Sequence, residues 1–182
     1  MQQSRVIPSP RSFACDLATL CAPTLAGLKP ASLFRYQPAP GQDAAAMAAA
    51  WHAALSPRGV TVRVLRQCPR TGAVLVYVYR PARVARLLAA PHMLDFLAGE
   101  GYTPGTADEL LDQLAERLCC EGDFPHEIGV FLGYPLSDVV GFIENSGRNF
   151  TCCGCWKAYG DPNAARRHFA QLSKCTAVYL RL

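Results

Sequence analysis

Val60 to Tyr79, VTVRVLRQCPRTGAVLVYVY, decides how this chain is read. Val60, Val62 and Val64 alternate with Thr61, Arg63 and Leu65. That period of two belongs to a strand, whose successive side chains leave on opposite faces. Thr71-Gly72 supplies a turn, and AVLVYVY (73–79) returns in β-branched and aromatic residues. The stretch predicts a β-hairpin over about 60–80.

Working outward toward the N-terminus, Asp43 is a good N-cap for a helix closing at Leu55 before Pro57 and Gly59. Gln37 to Gly41 reads as a linker. The stretch from Cys21 to Phe34, broken by Pro23, Gly27 and Pro30, reads as a shaped loop with a helical turn after Pro30. Phe13 to Cys21 is a short apolar run, read as a buried strand over about 13–21. Residues 1–12 are polar with two prolines and predict a flexible N-terminus. Residues 13–182 then form one domain.

Toward the C-terminus, Pro81 and Pro91 open two helices, through Ala89 and Leu97. Thr106 with Glu109 three residues on is a capping box. Leu110, Leu111, Leu114 and Leu118 behind it make an apolar helix face. Pro125 to Leu132 and Pro135 to Ile143 read as short helices separated by Gly133-Tyr134. A strand is expected over about 149–159, a helix from Asp161-Pro162 through Leu172, and a terminal strand or tail at 178–180. Strands and helices mix without a regular β-α-β alternation. The predicted class is α+β, with one mostly antiparallel sheet covered by several helices.

The 182 residues are about half apolar, with net charge +4, which excludes a disordered chain. The charge is unevenly spread: residues 101–147 carry −8, whereas 61–100 carry +4 and 148–182 carry +5. The basic parts suit a small anionic ligand, and the acidic part suits a protein partner. Nucleic acid is argued against by the helix–turn–helix around Gly133, whose second helix holds Asp138 and no Lys or Arg. No export signal and no twenty-residue apolar span is found, so a cytoplasmic location without a membrane partner is expected. The nine cysteines, an odd number, then read as reduced thiols.

Three segments can carry chemistry. Cys21, ahead of a loop holding Thr24 and Lys29, can present a thiol whose pKa a nearby cation would lower. His126 and Glu127 follow Pro125 in the first turn of a helix, where unpaired backbone N–H groups favour anions. Val130 stands where a zinc protease would need its second His. Cys152-Cys153-Gly154-Cys155 comes with Lys157 and Tyr159. A metal there would need Cys119-Cys120 or His168 as further ligands. In extended backbone Cys153 and Cys155 share a face that Cys152 does not. Gly129 and Gly133 allow close helix packing and end a helix, with no membrane span around them.

Several strings together resemble a known family. They are Phe124-Pro-His-Glu-Ile-Gly-Val-Phe-Leu-Gly-Tyr-Pro135, Asp138-Val-Val-Gly-Phe142, Gly154-Cys-Trp-Lys157 and Tyr159-Gly-Asp161. Cys21-Ala-Pro-Thr-Leu-Ala-Gly-Leu-Lys-Pro30 and Tyr77-Val-Tyr-Arg-Pro81 belong with them. The chain resembles, from about Cys15 onward, the uncharacterised bacterial family catalogued as domain of unknown function 3793. Cys155 departs from the family pattern, where an aromatic residue is expected. The resemblance implies a bacterial protein of oxygen-poor habitats and no particular activity.

The function expected from these residues is a small cytosolic enzyme or cofactor-handling protein with a Cys/His/Lys pocket. Its site would gather Cys21, His126, Glu127 and Lys157, with Thr24, Lys29, Tyr134 and Tyr159 at the ligand. The cofactor stays open. The alternatives are a non-catalytic adaptor, binding through the acidic region or through Arg63, Arg66 and Arg70, and metal or haem handling through Cys and His.

Overall fold

The structure, a computed structural model, describes residues 12–118 and 124–181. The fold is α+β, centred on a three-stranded antiparallel sheet in the order β1-β3-β2. The strands are β1 (Ala31–Tyr36), β2 (Thr61–Gln67) and β3 (Val74–Tyr79). β2 and β3 are the hairpin read from the sequence, with a register slip between Val64 and Arg66. β3 is central, and its residues are apolar at every position because both faces are covered. Val74, Val76 and Val78 point into one core with Phe34, Tyr36 and Val62. Tyr77 and Tyr79 point into the other with Ala31 and Leu65.

The first core is closed by α1 (Phe13–Leu25) and α2 (Ala44–Leu55). Asp43 caps α2 by accepting from the Ala45 and Ala46 amides at 2.9 and 3.1 Å. The second core is built from α3 (Pro81–Leu88), α4 (Pro91–Gly99), α5 (Ala107–Arg117) and the single turn α6 (Ile128–Phe131). The capping box of Thr106 and Glu109 opens α5. Next come α7 (Leu136–Glu144), the two-residue strands β4 (Cys152–Cys153) and β5 (Lys157–Ala158), and α8 (Pro162–Tyr179). A third small core joins Cys152 and Ala158 of that hairpin to Phe169 of α8, and α8 packs against α1.

Four local expectations need correction. Residues 13–21 are helical, not a strand: Ser12 accepts from the Cys15 amide, and Phe13, Leu17, Cys21 and Thr24 are buried at spacings of four, four and three. Pro23 does not stop this helix, because in the last turn it removes only one ladder bond. Ala31–Tyr36 is a strand instead of a loop, since the exposed edge of β3 offers it a complete partner from Tyr79 back to Val74. Residues 149–159 form the β4–β5 hairpin, because the chain reverses through Gly154-Cys155-Trp156. Residues 178 and 179 belong to α8, which outruns the expected end at Leu172. Of the flexible terminus expected at 1–12, only Ser12 is among the described residues.

Candidate functional site

Residues 125–144 deliver the first half of the site. α6 is a single turn held to the sheet by the buried Tyr77 hydroxyl, which donates to the Phe131 carbonyl at 2.6 Å. Gly133 ends it at φ +76°, where a Cβ would stand 2.2 Å from Pro30 Cγ. At Gly129 a Cβ would stand 2.8 Å from Val139 Cγ2, so its absence lets α7 close on α6. Both glycines serve the packing and helix-ending roles expected of them. The tight turn carries Tyr134 out beside α7, with its amide donating to the Gly129 carbonyl at 2.9 Å.

The β4–β5 hairpin supplies the other half. Trp156 stacks on Tyr134 with centroids 4.6 Å apart and planes 21° from parallel, and it meets Phe169 edge-on at 4.6 Å. Its Nε1 donates to Asp138 Oδ2 at 2.8 Å, while Asp138 Oδ1 accepts from the Tyr159 and Gly160 amides at 2.8 and 3.3 Å. Asp138 is only 6% exposed, and a buried carboxylate persists when donors replace its water. These bonds lock the hairpin onto α7 and set the plane of the indole.

Between the two halves lies a cavity of about 380 Å³. Its aromatic walls are Tyr134, Trp156 and Phe142. His126 lies at its edge, 4.9 Å from Phe142 in a T-shaped contact. Lys157 also lines it, donating to the Gly147 carbonyl at 2.7 Å, with its ammonium 5.6 Å from the Phe142 ring and 5.2 Å from Phe150. No carboxylate among the described residues pairs with Lys157. Cys153 and Cys155 are exposed thiols on this cavity, whereas Cys152 is buried against the third core.

The residues singled out from the sequence separate into groups. His126, Lys157 and Tyr134 line the first cavity together. Lys29 does not line it. Its ammonium lies 5.0 Å from the centre of the Tyr134 ring, and it lines a second cavity of about 560 Å³. Tyr134 and Cys155 border both cavities. Cys21 is a correction: it has no exposed surface, lies in the first core, and burial pushes its thiol up to about 12. The expected activated nucleophile is a packing residue. Thr24 is fully buried and shares a 2.9 Å hydrogen bond with Ser32, away from the first cavity.

Glu127 also turns away. It accepts from the Tyr102 hydroxyl at 3.0 Å and lies 3.7 Å from Arg117, an ion pair under α5. Tyr159 lies behind Asp138, its ring against Gly141, where a Cβ would stand 2.5 Å from its Cγ. Trp156 and Asp138 carry no sequence signal for this role, because Asp138 precedes Trp156 by eighteen residues, beyond the reach of any local motif.

Among the described residues no group of three or more His, Cys, Asp or Glu side chains is placed to hold a metal ion. Cys119-Cys120 lies outside those residues. No helix among them is long and apolar enough to cross a membrane. The model of the family described as "Protein of unknown function (DUF3793)" matches residues 17–182. No curated protein and no solved structure matches the chain.

Proposed function

The chain belongs to the DUF3793 family, and we propose that it is a cytoplasmic cofactor-handling protein or small enzyme that holds a flat, anionic small molecule in the first cavity. The observation that carries this reading is the convergence on one cavity of His126 and Tyr134, from residues 125–144, with the 153–157 hairpin, two separate stretches of chain. The volume falls in the range of small-molecule sites, which are mostly apolar with a few convergent polar groups. Tyr134, Trp156 and Phe142 offer ring surfaces to a planar body. Lys157, with no carboxylate partner among the described residues, offers its charge to an anionic group, and His126 offers a second donor.

Asp138 does not repel such a ligand strongly, because both of its oxygens already accept hydrogen bonds. Chemistry on the ligand would use His126 for proton transfer, or the thiols of Cys153 and Cys155, which stand free on the cavity wall. Cys21 has no part in it.

A test uses 1-anilinonaphthalene-8-sulfonate, a flat aromatic anion, as the probe. In a Trp51→Phe background, energy transfer from Trp156 reports binding near the Trp156–Tyr134 wall, and Lys157→Gln assigns it to this cavity. One saturable site is expected, weakened about tenfold by Lys157→Gln, or about 1.4 kcal/mol. Equal binding by wild type and Lys157→Gln would contradict the proposal.

A further inference from the structure

The second cavity lies on the far side of Tyr134 and is independent of the first reading. It runs between α1, β1 and α8, with walls from Leu20, Leu33, Leu132, Leu172 and Leu180. Leu20 and Leu180 are 46% and 58% exposed, so the apolar lining continues outward as surface. Into this apolar cleft projects a single cation, Lys29. Among the described residues it has neither a hydrogen-bond partner nor a carboxylate; the Tyr134 ring lies 5.0 Å away, and the Cys155 and Cys21 thiols are the titratable groups that face it. Burial lowers its pKa, as expected for an ammonium that has lost water without gaining a counter-charge.

Ser32 lines the same cavity and is held by Thr24 at 2.9 Å. When Thr24 donates to Ser32, the Ser32 hydrogen is left to donate, to the neighbouring Cys21 sulfur or to a ligand oxygen. A lone cation and a hydroxyl on the wall of one leucine-lined cleft are the complement of one kind of ligand: a single carboxylate on an apolar chain.

We infer that the second cavity is a binding site for an amphipathic monocarboxylate of the fatty-acid class, its carboxylate on Lys29 Nζ and Ser32 Oγ and its chain along the α1–α8 cleft. Thr24 is then a positioning residue, acting through Ser32. A carboxylate supplies the missing counter-charge, and its chain covers the exposed leucines. Binding requires the ammonium form of Lys29. Affinity is therefore present below the lowered pKa of that amine and is lost as pH rises through it, while the corresponding alcohol shows no such loss.

The test is calorimetric titration of the full chain with decanoate and with decan-1-ol. Decanoate binds one to one and at least tenfold more tightly than the alcohol. Lys29→Met removes the preference, so that the two ligands bind alike. Lys29→Arg, which keeps the charge, retains it and shows that the site has not simply unfolded. Lys157→Gln leaves decanoate binding unchanged, which separates this site from the first cavity. Overturning results are decanoate binding no tighter than the alcohol, a preference that survives Lys29→Met, or no binding of either ligand by wild-type protein that is folded by circular dichroism.

Discussion

The Trp156 indole lies on the Tyr134 phenol ring, 4.6 Å from centre to centre, and Asp138 fixes it there through Nε1 at 2.8 Å. Tyr134 comes from the turn between α6 and α7, and Trp156 from the β4–β5 hairpin. Their contact joins two stretches that the hydrogen bonds to Asp138 also hold together. It forms the common wall of the site, since Tyr134 borders both cavities.

That wall predicts an energetic coupling. Asp138→Asn should cost about 2–3 kcal/mol, because an amide cannot accept from three donors as the carboxylate does. Trp156→Phe keeps a ring on Tyr134 but removes the Nε1 donor. A double-mutant cycle by urea denaturation should give a coupling of about 1 kcal/mol or more between them. Additive losses would mean that the 2.8 Å bond contributes nothing.

Tyr77 acts on the site from beneath the sheet. Its hydroxyl satisfies the Phe131 carbonyl at 2.6 Å and so anchors the α6 turn that carries Tyr134. Tyr77→Phe should lower stability by about 1–3 kcal/mol, the penalty for leaving a buried acceptor unpaired. It should also accelerate hydrogen exchange of the Leu132 and Tyr134 amides, which donate within this turn. A stability loss with unchanged exchange there would locate the effect elsewhere.

Cys21 gives a pH dependence of known sign. Its folded-state pKa, pushed up to about 12 by burial, lies above the ordinary thiol value of about 8.5. Folding thus favours the protonated thiol. That contribution is fully present below the unfolded pKa and disappears as pH climbs from there toward the folded value. Wild type should lose stability relative to Cys21→Ala between about pH 9 and 11, measured by urea midpoints. A constant difference across that range would show the sulfur to be solvated. In the native protein at neutral pH, maleimide should reach Cys153 and Cys155 well before Cys21.

Much of the framework is legible without coordinates, and the exceptions have physical causes. The β2–β3 hairpin and the caps at Asp43 and Thr106 depend on residues within a few positions of one another. α1 was open to misreading because Phe13 to Cys21 is apolar enough for a strand; its helical signal is the spacing of Phe13, Leu17 and Cys21 behind Ser12. β1 carries no signal of its own, since its partners Val74 to Tyr79 lie some forty residues away. The same distance problem divides the site. His126, Lys157 and Tyr134 stood out by residue type and converge. Asp138, by contrast, acquires its role only when the hairpin folds back to present Trp156. Pro23 and Gly27 suggest a loop from Cys21 that could present its thiol, whereas the helix runs on to Leu25 and buries it.

The most direct check is protection of individual thiols by a bound probe. With saturating 1-anilinonaphthalene-8-sulfonate, alkylation rates at each cysteine are followed by peptide mass spectrometry. The account predicts that Cys153 and Cys155 slow at least tenfold while Cys15, an exposed α1 thiol that lines neither cavity, keeps its rate. In Lys157→Gln, at the same probe concentration, much of that protection should disappear. Bound probe with undiminished labelling of both hairpin thiols would place the ligand elsewhere and contradict the assignment of this cavity.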